Sequence, residues 1–167
     1  MQVRNNGRVM PKQRRIDELI SGHMNHGPPF YDDGVITYKA REGSHFDDAF
    51  RKLERTLGIN VERTRYPRQA DVICKFSKDY VKGKWLGLAE FDYHHFRWKP
   101  SRAFTRVTVM RGRRDTQSVV VHEIGHALGL DHPDSHSRTD TIMSYGAPDT
   151  LSWFTKLDIA AINQMYG

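Results

Sequence analysis

The spacing of hydrophobic residues predicts strands and helices along most of the chain. Residues 46–57 carry apolar side chains at helical spacing, with charged residues between them, at Phe46, Phe50, Leu53 and Leu57. Gly58 then ends this predicted amphipathic helix. Shorter apolar runs, bounded by turn residues, predict strands over Val35–Ala40, Ile59–Arg63, Ala70–Phe76 and Ala103–Met110. Residues 79–100, rich in glycine and aromatic residues, predict a loop or an edge strand.

Two further helices complete the pattern. In the first, Val120, Ile124 and either Ala127 or Leu128 form a core-facing stripe, and Asp115 or Thr116 can cap its start. The second is predicted over Phe154–Met165. The order β-α-β-β-β-α followed by a helix predicts an α/β-type domain within the α+β class. We expect a twisted mixed sheet with two helices above a cleft, and an irregular lower subdomain with one C-terminal helix.

The N-terminal region differs in character from the rest. Residues 1–30 are basic and rich in glycine and proline, so they predict a partly mobile extension, with one helix-capable patch at Gln13–Ile20. Residues 31–167 then form the main domain. No apolar stretch follows the N-terminal charges as it would in a secretory signal peptide.

Composition narrows the possible classes. The 167 residues, 38% of them hydrophobic, suit one folded domain, which we expect to be a monomer. No apolar run approaches the ~20 residues of a membrane span. The net charge of +6 is compatible with nucleic-acid binding, but the charges are spread out, which argues against it. The single cysteine, Cys74, excludes an internal disulfide and is expected to be a small buried residue.

One segment carries recognisable chemistry. From His122 to His132 the chain reads H-E-x-x-H-x-x-G-x-x-H. Because helix positions four apart lie one turn apart on one face, His122 and His126 can bind one zinc ion together. Glu123 lies beside that face, where its carboxylate can reach a water at the metal. Gly129 can end the helix, which lets His132 return as a third ligand and leaves a fourth position open, as catalytic zinc sites do.

At these residues the chain resembles the metzincins, a clan of zinc endopeptidases. Metzincins place a methionine turn below the metal, and residues 141–146 match it, with Met143 as the floor residue. Pro133, directly after the third histidine, and the string Ile142–Tyr145 resemble serralysins. Val35–Tyr38 and Ala70–Ile73 resemble matrixin strands, and residues 157–167 are similar to the last catalytic-domain helix of both families.

The chain also departs from both families, which leaves the subfamily open. Serralysins carry G-G-x-G-x-D calcium repeats, and this sequence has none. Matrixins place Ser or Thr where Pro133 stands, and they block the zinc with a propeptide cysteine. Cys74 lies in a strand-like run instead. The location also stays open. The family resemblance favours an extracellular protein, whereas the lack of a visible signal peptide favours an intracellular one.

The resemblance implies that residues 31–167 form a zinc endopeptidase catalytic domain acting on protein or peptide substrates. His122, His126 and His132 would hold Zn²⁺, and Glu123 would be the general base. In serralysins and astacins a tyrosine at the position of Tyr145 can ligate the zinc and then stabilise the transition state, whereas in matrixins this segment lines the pocket. Both roles remain open for Tyr145. The alternative function is an inactive or weakly active metzincin-like domain that binds peptides.

The resemblance also suggests a second metal site. In matrixins the region of His94 and His95 binds structural zinc and Ca²⁺, but the Asp-Gly-rich loop expected there is missing. Calcium therefore remains a minor expectation.

Overall fold

The order of strands and helices follows the hydrophobic pattern. A computed structural model of the chain describes residues 11–20, 34–94, 97, 102–134, 139–145 and 151–166. Within these ranges the helices are α1 (Pro11–Ile20), α2 (His45–Leu57), α3 (Thr116–Ala127) and α4 (Lys156–Tyr166). The strands are β1 (Ile36–Lys39), β2 (Val61–Arg63), β3 (Val72–Ser77), β4 (Gly87–His94) and β5 (Arg102–Met110). The predicted α+β class is confirmed.

The strands form one mixed sheet in the order β2-β1-β3-β5-β4. Strand β1 pairs in parallel with β2 and β3, and β3 pairs in parallel with β5. Strand β4 runs antiparallel to β5 along a ladder from Gly87↔Val109 to His94↔Arg102. This places β4 at the edge of the sheet, so the region predicted as a loop or edge strand contains an edge strand. Such an edge offers backbone N–H and C=O groups to an extended peptide.

Helix α2 packs with the apolar face that its spacing predicts. Its large buried side chains are Phe46, Phe50 and Leu53. The ring of Phe50 stacks on Tyr38 of β1 with centroids 4.2 Å apart, which fixes the helix on the sheet. Gly58 ends the helix at φ 66°, a left-handed conformation that glycine adopts without steric cost.

Helix α4 begins two residues later than the sequence analysis predicts, at Lys156 instead of Phe154. Thr155 and Asp158 cap the helix reciprocally. The Thr155 hydroxyl accepts the Asp158 N–H at 3.3 Å, and the Asp158 carboxylate accepts the Thr155 N–H at 2.8 Å. This capping box stops the helix from extending back to Phe154.

The start of helix α3 also differs in detail from the expectation. Asp115 occupies the N-cap position but makes no side-chain cap bond. Its carboxylate instead accepts a hydrogen bond from Arg113 Nε at 3.0 Å. The Thr116 hydroxyl accepts the Arg113 N–H at 3.1 Å, so the preceding basic turn anchors the helix.

The helix-capable patch near the N-terminus forms α1. Its buried side chains, Ile16, Leu19 and Ile20, belong to the main hydrophobic core, and the helix contacts α4. Residues 1–10 and 21–33 lie outside the described ranges, so the domain boundary at residue 30 and the mobility of the extension stay predictions. None of the described helices has the length and apolar composition needed to cross a membrane.

Candidate metal centre

Helix α3 presents two histidines on one side and its hydrophobic stripe on another. Val120, Ile124 and Ala127 are buried in the core, as their spacing predicts. The rings of His122 and His126 lie on the half-buried side, with centroids 4.8 Å apart. Side chains four residues apart are stacked neighbours on a helix, so this pairing follows from helix geometry alone.

The chain reverses directly after α3. Gly129 has a φ of 101°, which a residue with a Cβ adopts only under strain. The Gly129 N–H donates to the His126 carbonyl at 2.9 Å, and the Leu130 N–H donates to the Gly125 carbonyl at 2.9 Å. These bonds satisfy carbonyls of the last helical turn and direct the following residues back toward α3. The sequence-based role of Gly129 as the helix end is confirmed.

The reversal brings the third histidine to the other two. His132 Nε2 lies 3.1 Å from His122 Nε2 and 3.0 Å from His126 Nε2. Two nitrogens bound at 2.0–2.1 Å to one tetrahedral zinc would lie roughly 3.3 Å apart, so the spacing suits this ion. Within the described ranges, this is the one cluster of at least three residues with the donor atoms of a metal site.

The hydrogen bonds of the rings fix which nitrogen can bind a metal. His122 Nδ1 lies 2.7 Å from the Ile142 carbonyl oxygen, and His126 Nδ1 lies 2.8 Å from the Leu130 carbonyl oxygen. A carbonyl only accepts, so both Nδ1 atoms carry the proton and both Nε2 atoms present a lone pair. Burial lowers the pKa of His122, which favours this neutral form. Lone pairs that converge in this way suit a cation.

A buried aspartate, not singled out by the sequence analysis, supports the site from below. Asp158 is fully buried, and its carboxylate accepts hydrogen bonds from the Thr141 hydroxyl and, at 3.0 Å, from the Ile142 N–H. The Ile142 carbonyl in turn holds His122. The T-x-x-D spacing of Thr155 and Asp158 is a capping-box pattern, and it was the available signal for this residue.

Met143 is buried beneath α3, in agreement with its predicted place in the methionine turn. It packs against a helix position that has no side chain. A Cβ added at Gly125 would lie 2.4 Å from Met143 Sδ and 3.3 Å from a ring carbon of Phe154. The turn therefore approaches the helix between His122 and His126 as closely as a glycine allows.

Glu123 lies between α3 and the edge strand β4. Its side chain is buried, and burial raises its pKa to about 8, although a hydrogen bond from the Ala89 backbone opposes the shift. Gly87 of β4 leaves room for it, because a Cβ there would lie 2.6 Å from Glu123 Oε1. A desolvated carboxylate with a raised pKa beside the three histidines is typical of a proton-transfer group.

Tyr145 lies next to the third histidine. Its ring stacks on His132 with centroids 3.9 Å apart and an interplanar angle of 28°, and 58% of the residue is exposed. It also lines the cleft that contains the three histidines. The stacking brings Tyr145 to the site, and its role as ligand or as pocket wall stays a prediction.

The cleft runs between β4 and α3 and has a volume of about 660 Å³. Its walls include Trp85, Leu88 and Phe91 from the β4 side, and Ser118 and Val119 from α3. Trp85 and Phe91 are 40% and 48% exposed, which is unusual for such large apolar side chains. An open, partly apolar cleft along a sheet edge suits an extended peptide.

Two sequence-based expectations concern residues other than the three histidines, namely Cys74 and the pair His94 and His95. Cys74 is a free thiol packed at the margin of the core, and burial raises its pKa strongly, so it behaves as a small apolar residue. His95 and the side chain of His94 lie outside the described part of the structure, so a second metal site with zinc or calcium stays a prediction.

Comparison with known families agrees with the geometry. The family model described as Matrixin matches residues 36–167, which include the sheet, α3, the third histidine and α4. A comparison with curated proteins finds no match of significance. The match supports the metzincin-type catalytic fold and, at the level of the family, a zinc metalloendopeptidase, while the serralysin-like features are not addressed by it. The chain belongs to the matrixin family.

Proposed function

We propose that this chain is an active endopeptidase in which His122, His126 and His132 hold zinc and Glu123 is the general base. The observation that carries the proposal is the convergence of three imidazole Nε2 atoms beside a buried carboxylate. Zinc, when bound, would polarise the scissile carbonyl and lower the pKa of a water molecule to about 7.

Glu123 would carry the proton through the reaction. Its carboxylate takes a proton from the attacking water and then gives it to the nitrogen of the leaving amine. Burial raises the pKa of Glu123 to about 8 in the metal-free protein, so the group can keep the proton between the two transfers. The positive charge of a bound zinc ion would lower that pKa and favour the ionised form that accepts the proton. No covalent intermediate with the protein is required.

Strand β4 would hold the substrate. As the edge strand, it can add an extended peptide to the sheet through backbone hydrogen bonds, which are independent of sequence. The exposed rings of Trp85 and Phe91 in the same cleft would add apolar contacts to substrate side chains.

Tyr145 is proposed as the second catalytic residue. The stacking of its ring on His132 keeps it beside the metal ligands, and its exposure leaves it able to move. Its hydroxyl would then donate a hydrogen bond to the oxyanion of the transition state. Tyr145→Phe should therefore lower kcat more than it changes KM.

The test combines metal content with turnover. The purified protein should bind about one zinc per chain and cleave casein or a quenched-fluorescence peptide library. Glu123→Gln keeps the shape of the side chain but removes the base, so zinc should remain bound while turnover falls by about 10²-fold or more. Glu62→Gln changes an exposed glutamate on β2 and is the matched control.

Two results would contradict the proposal. Undiminished cleavage by the Glu123→Gln variant would remove the general base from the mechanism. One zinc per chain with no cleavage of any library peptide would instead favour the alternative, a metzincin-like domain that binds peptides without hydrolysing them.

A further inference from the structure

Helix α1 lies before the segment matched by the family model, yet it shares the core of the domain. Its buried residues Ile16, Leu19 and Ile20 are spaced as one face of a helix. Leu19 is fully buried. The helix is therefore a packed part of the domain, although the likeness to matrixins begins only at residue 36.

The C-terminal end of α1 meets the loop that carries the third histidine. The last carbonyls of a helix have no partner within the helix. The Leu19 carbonyl finds one in the N–H of Asp131, at 2.7 Å. Asp131 directly precedes His132, so the end of α1 is bonded to the residue next to a proposed metal ligand.

Further hydrogen bonds of this loop come from within the motif itself. His126 Nδ1 donates to the Leu130 carbonyl at 2.8 Å, and the His132 N–H donates to the Asp131 carboxylate at 2.7 Å. These bonds shape the loop but do not tie it to the rest of the domain. The bond from Asp131 to Leu19 ties the loop to a separate element.

Helix α1 also contacts Asp140, which precedes the methionine turn, and helix α4. Arg15 Nη1 lies 3.1 Å from an Asp140 carboxylate oxygen, just before the methionine turn, and Gln13 Nε2 donates to the Gln164 side chain of α4 at 2.9 Å. Both contacts are exposed, so each adds little energy. The buried residues Ile16, Leu19 and Ile20 therefore supply most of the attachment of α1.

We propose that α1 is a positioning element for His132: through Leu19 it holds the 130–132 loop so that His132 Nε2 stays beside the other two ligands. The inference rests on the proposed role of His132 as a zinc ligand. Its first consequence, an immobilised Asp131 amide, does not depend on metal or on hydrolysis. A failure of the inference about α1 can therefore be told from a failure of the proposed function.

The test compares two leucines of the same core. Leu19→Ala should loosen the packing of α1 near the 130–132 loop, and Leu53→Ala removes an equally buried side chain from α2. In the metal-free protein, hydrogen exchange at the Asp131 amide should become at least about tenfold faster in Leu19→Ala than in Leu53→Ala. Competition with a chromophoric chelator should show zinc binding weakened by about 10-fold in Leu19→Ala, the scale of a lost ligand-orienting contact. Leu53→Ala should keep the wild-type zinc affinity.

Equal zinc affinity in the two variants, or unchanged Asp131 exchange in Leu19→Ala, would overturn the proposal. If Leu19→Ala does not fold, the milder pair Leu19→Val and Leu53→Val gives the same comparison. Faster Asp131 exchange with unchanged zinc affinity would show that α1 holds the loop but that His132 does not depend on it, which also contradicts the proposal. A wild-type protein that binds zinc but cleaves no peptide would contradict the proposed function and leave the role of α1 intact.

Discussion

The carboxylate of Asp158 and the imidazole of His122 are joined through one residue, Ile142. The Ile142 N–H donates to Asp158 Oδ2 at 3.0 Å, and its carbonyl accepts the proton of His122 Nδ1 at 2.7 Å. The same carboxylate accepts hydrogen bonds from Thr141 and Thr155. Asp158 therefore sets both the methionine turn and the start of α4, and through the turn it orients a proposed zinc ligand.

Replacing Asp158 with alanine should damage both stability and metal binding. The change leaves buried donors without an acceptor, so we expect the free energy of unfolding to fall by about 2–4 kcal/mol. Zinc affinity should fall about 10-fold because His122 loses its fixed orientation. Urea unfolding and chelator competition measure the two effects. Asp134→Ala, at an exposed position near His132, should change neither, and a stable Asp158→Ala protein with normal zinc affinity would contradict the linkage.

Gly125→Ala should destabilise the protein, against the usual preference of helices for alanine. On an exposed helix the change would be favourable by about 1 kcal/mol. Here the new Cβ would meet Met143 Sδ at 2.4 Å, and overpacking of this kind costs about 1–3 kcal/mol. In a double-mutant cycle, Met143→Ala should relieve part of this cost, which would appear as coupling between the two sites. A Gly125→Ala protein more stable than the wild type would exclude the close contact.

Gly87→Ala should impair catalysis more than folding. Its Cβ would lie 2.6 Å from both Glu123 Oε1 and Val119 Cγ1, so the carboxylate must move away from β4. Displacing the proposed general base should lower kcat by about 10²-fold while zinc stays bound. Steady-state kinetics with metal analysis of the same sample measures both. If kcat is unchanged, Glu123 does not need its place against β4; if zinc is lost as well, the damage is general.

Local patterns made much of the site predictable. The spacing of His122, His126 and Gly129 determines their places on and after one helix, because helix periodicity and the left-handed preference of glycine act over a few residues. The same holds for the buried face of α2, where Phe46, Phe50 and Leu53 lie as their spacing predicts. These interactions need no knowledge of the remaining chain.

Contacts between distant segments were less accessible to prediction. Nothing in the periodicity indicates that Asp158 reaches under Ile142, or that the Leu19 carbonyl meets the N–H of Asp131. The position of β4 at the sheet edge also depends on the pairing of all five strands. In each case the partner is chosen by the packing of whole elements, which a single sequence records only weakly.

If zinc binds at the proposed site, its removal should lower stability in a way that depends on the three histidines. A ligand that binds only the folded protein stabilises it by mass action, by about 2.7 kcal/mol at a concentration 100 times Kd. Added zinc should therefore raise the Tm of the chelator-treated wild type. His126→Ala, which removes one of the three proposed ligands, should lose most of that rise, whereas His45→Ala, at an exposed position on α2, should retain it. An equal rise in His126→Ala would place zinc elsewhere.

A buried polar cluster between β1 and α2 predicts how stability changes with pH. Burial alone would raise the pKa of Asp47, but hydrogen bonds from the Gly43 N–H at 3.0 Å and the Tyr38 hydroxyl at 2.7 Å, with the charges of Arg51 and Arg63, lower it overall. Burial first, and then the Asp47 hydrogen bond, raise the pKa of Tyr38. Both groups thus differ in pKa between the folded and the unfolded chain.

The fall in the free energy of unfolding at low pH should therefore depend on Asp47. Its carboxylate is ionised in the folded protein at pH values where an unfolded aspartate, with a pKa of about 3.9, already binds a proton. Its contribution to stability is present above that pKa and is lost as the pH falls through the lower folded value. Urea unfolding over a pH series should show a flatter decline below about pH 4 for Asp47→Asn than for the wild type, and a lower stability at pH 7. Asp48→Asn, at the exposed neighbouring position, is the matched control for the removal of one carboxylate from the start of α2. Parallel acid limbs for Asp47→Asn and the wild type would mean that Asp47 titrates alike in both states, and that its buried hydrogen bonds do not hold it ionised.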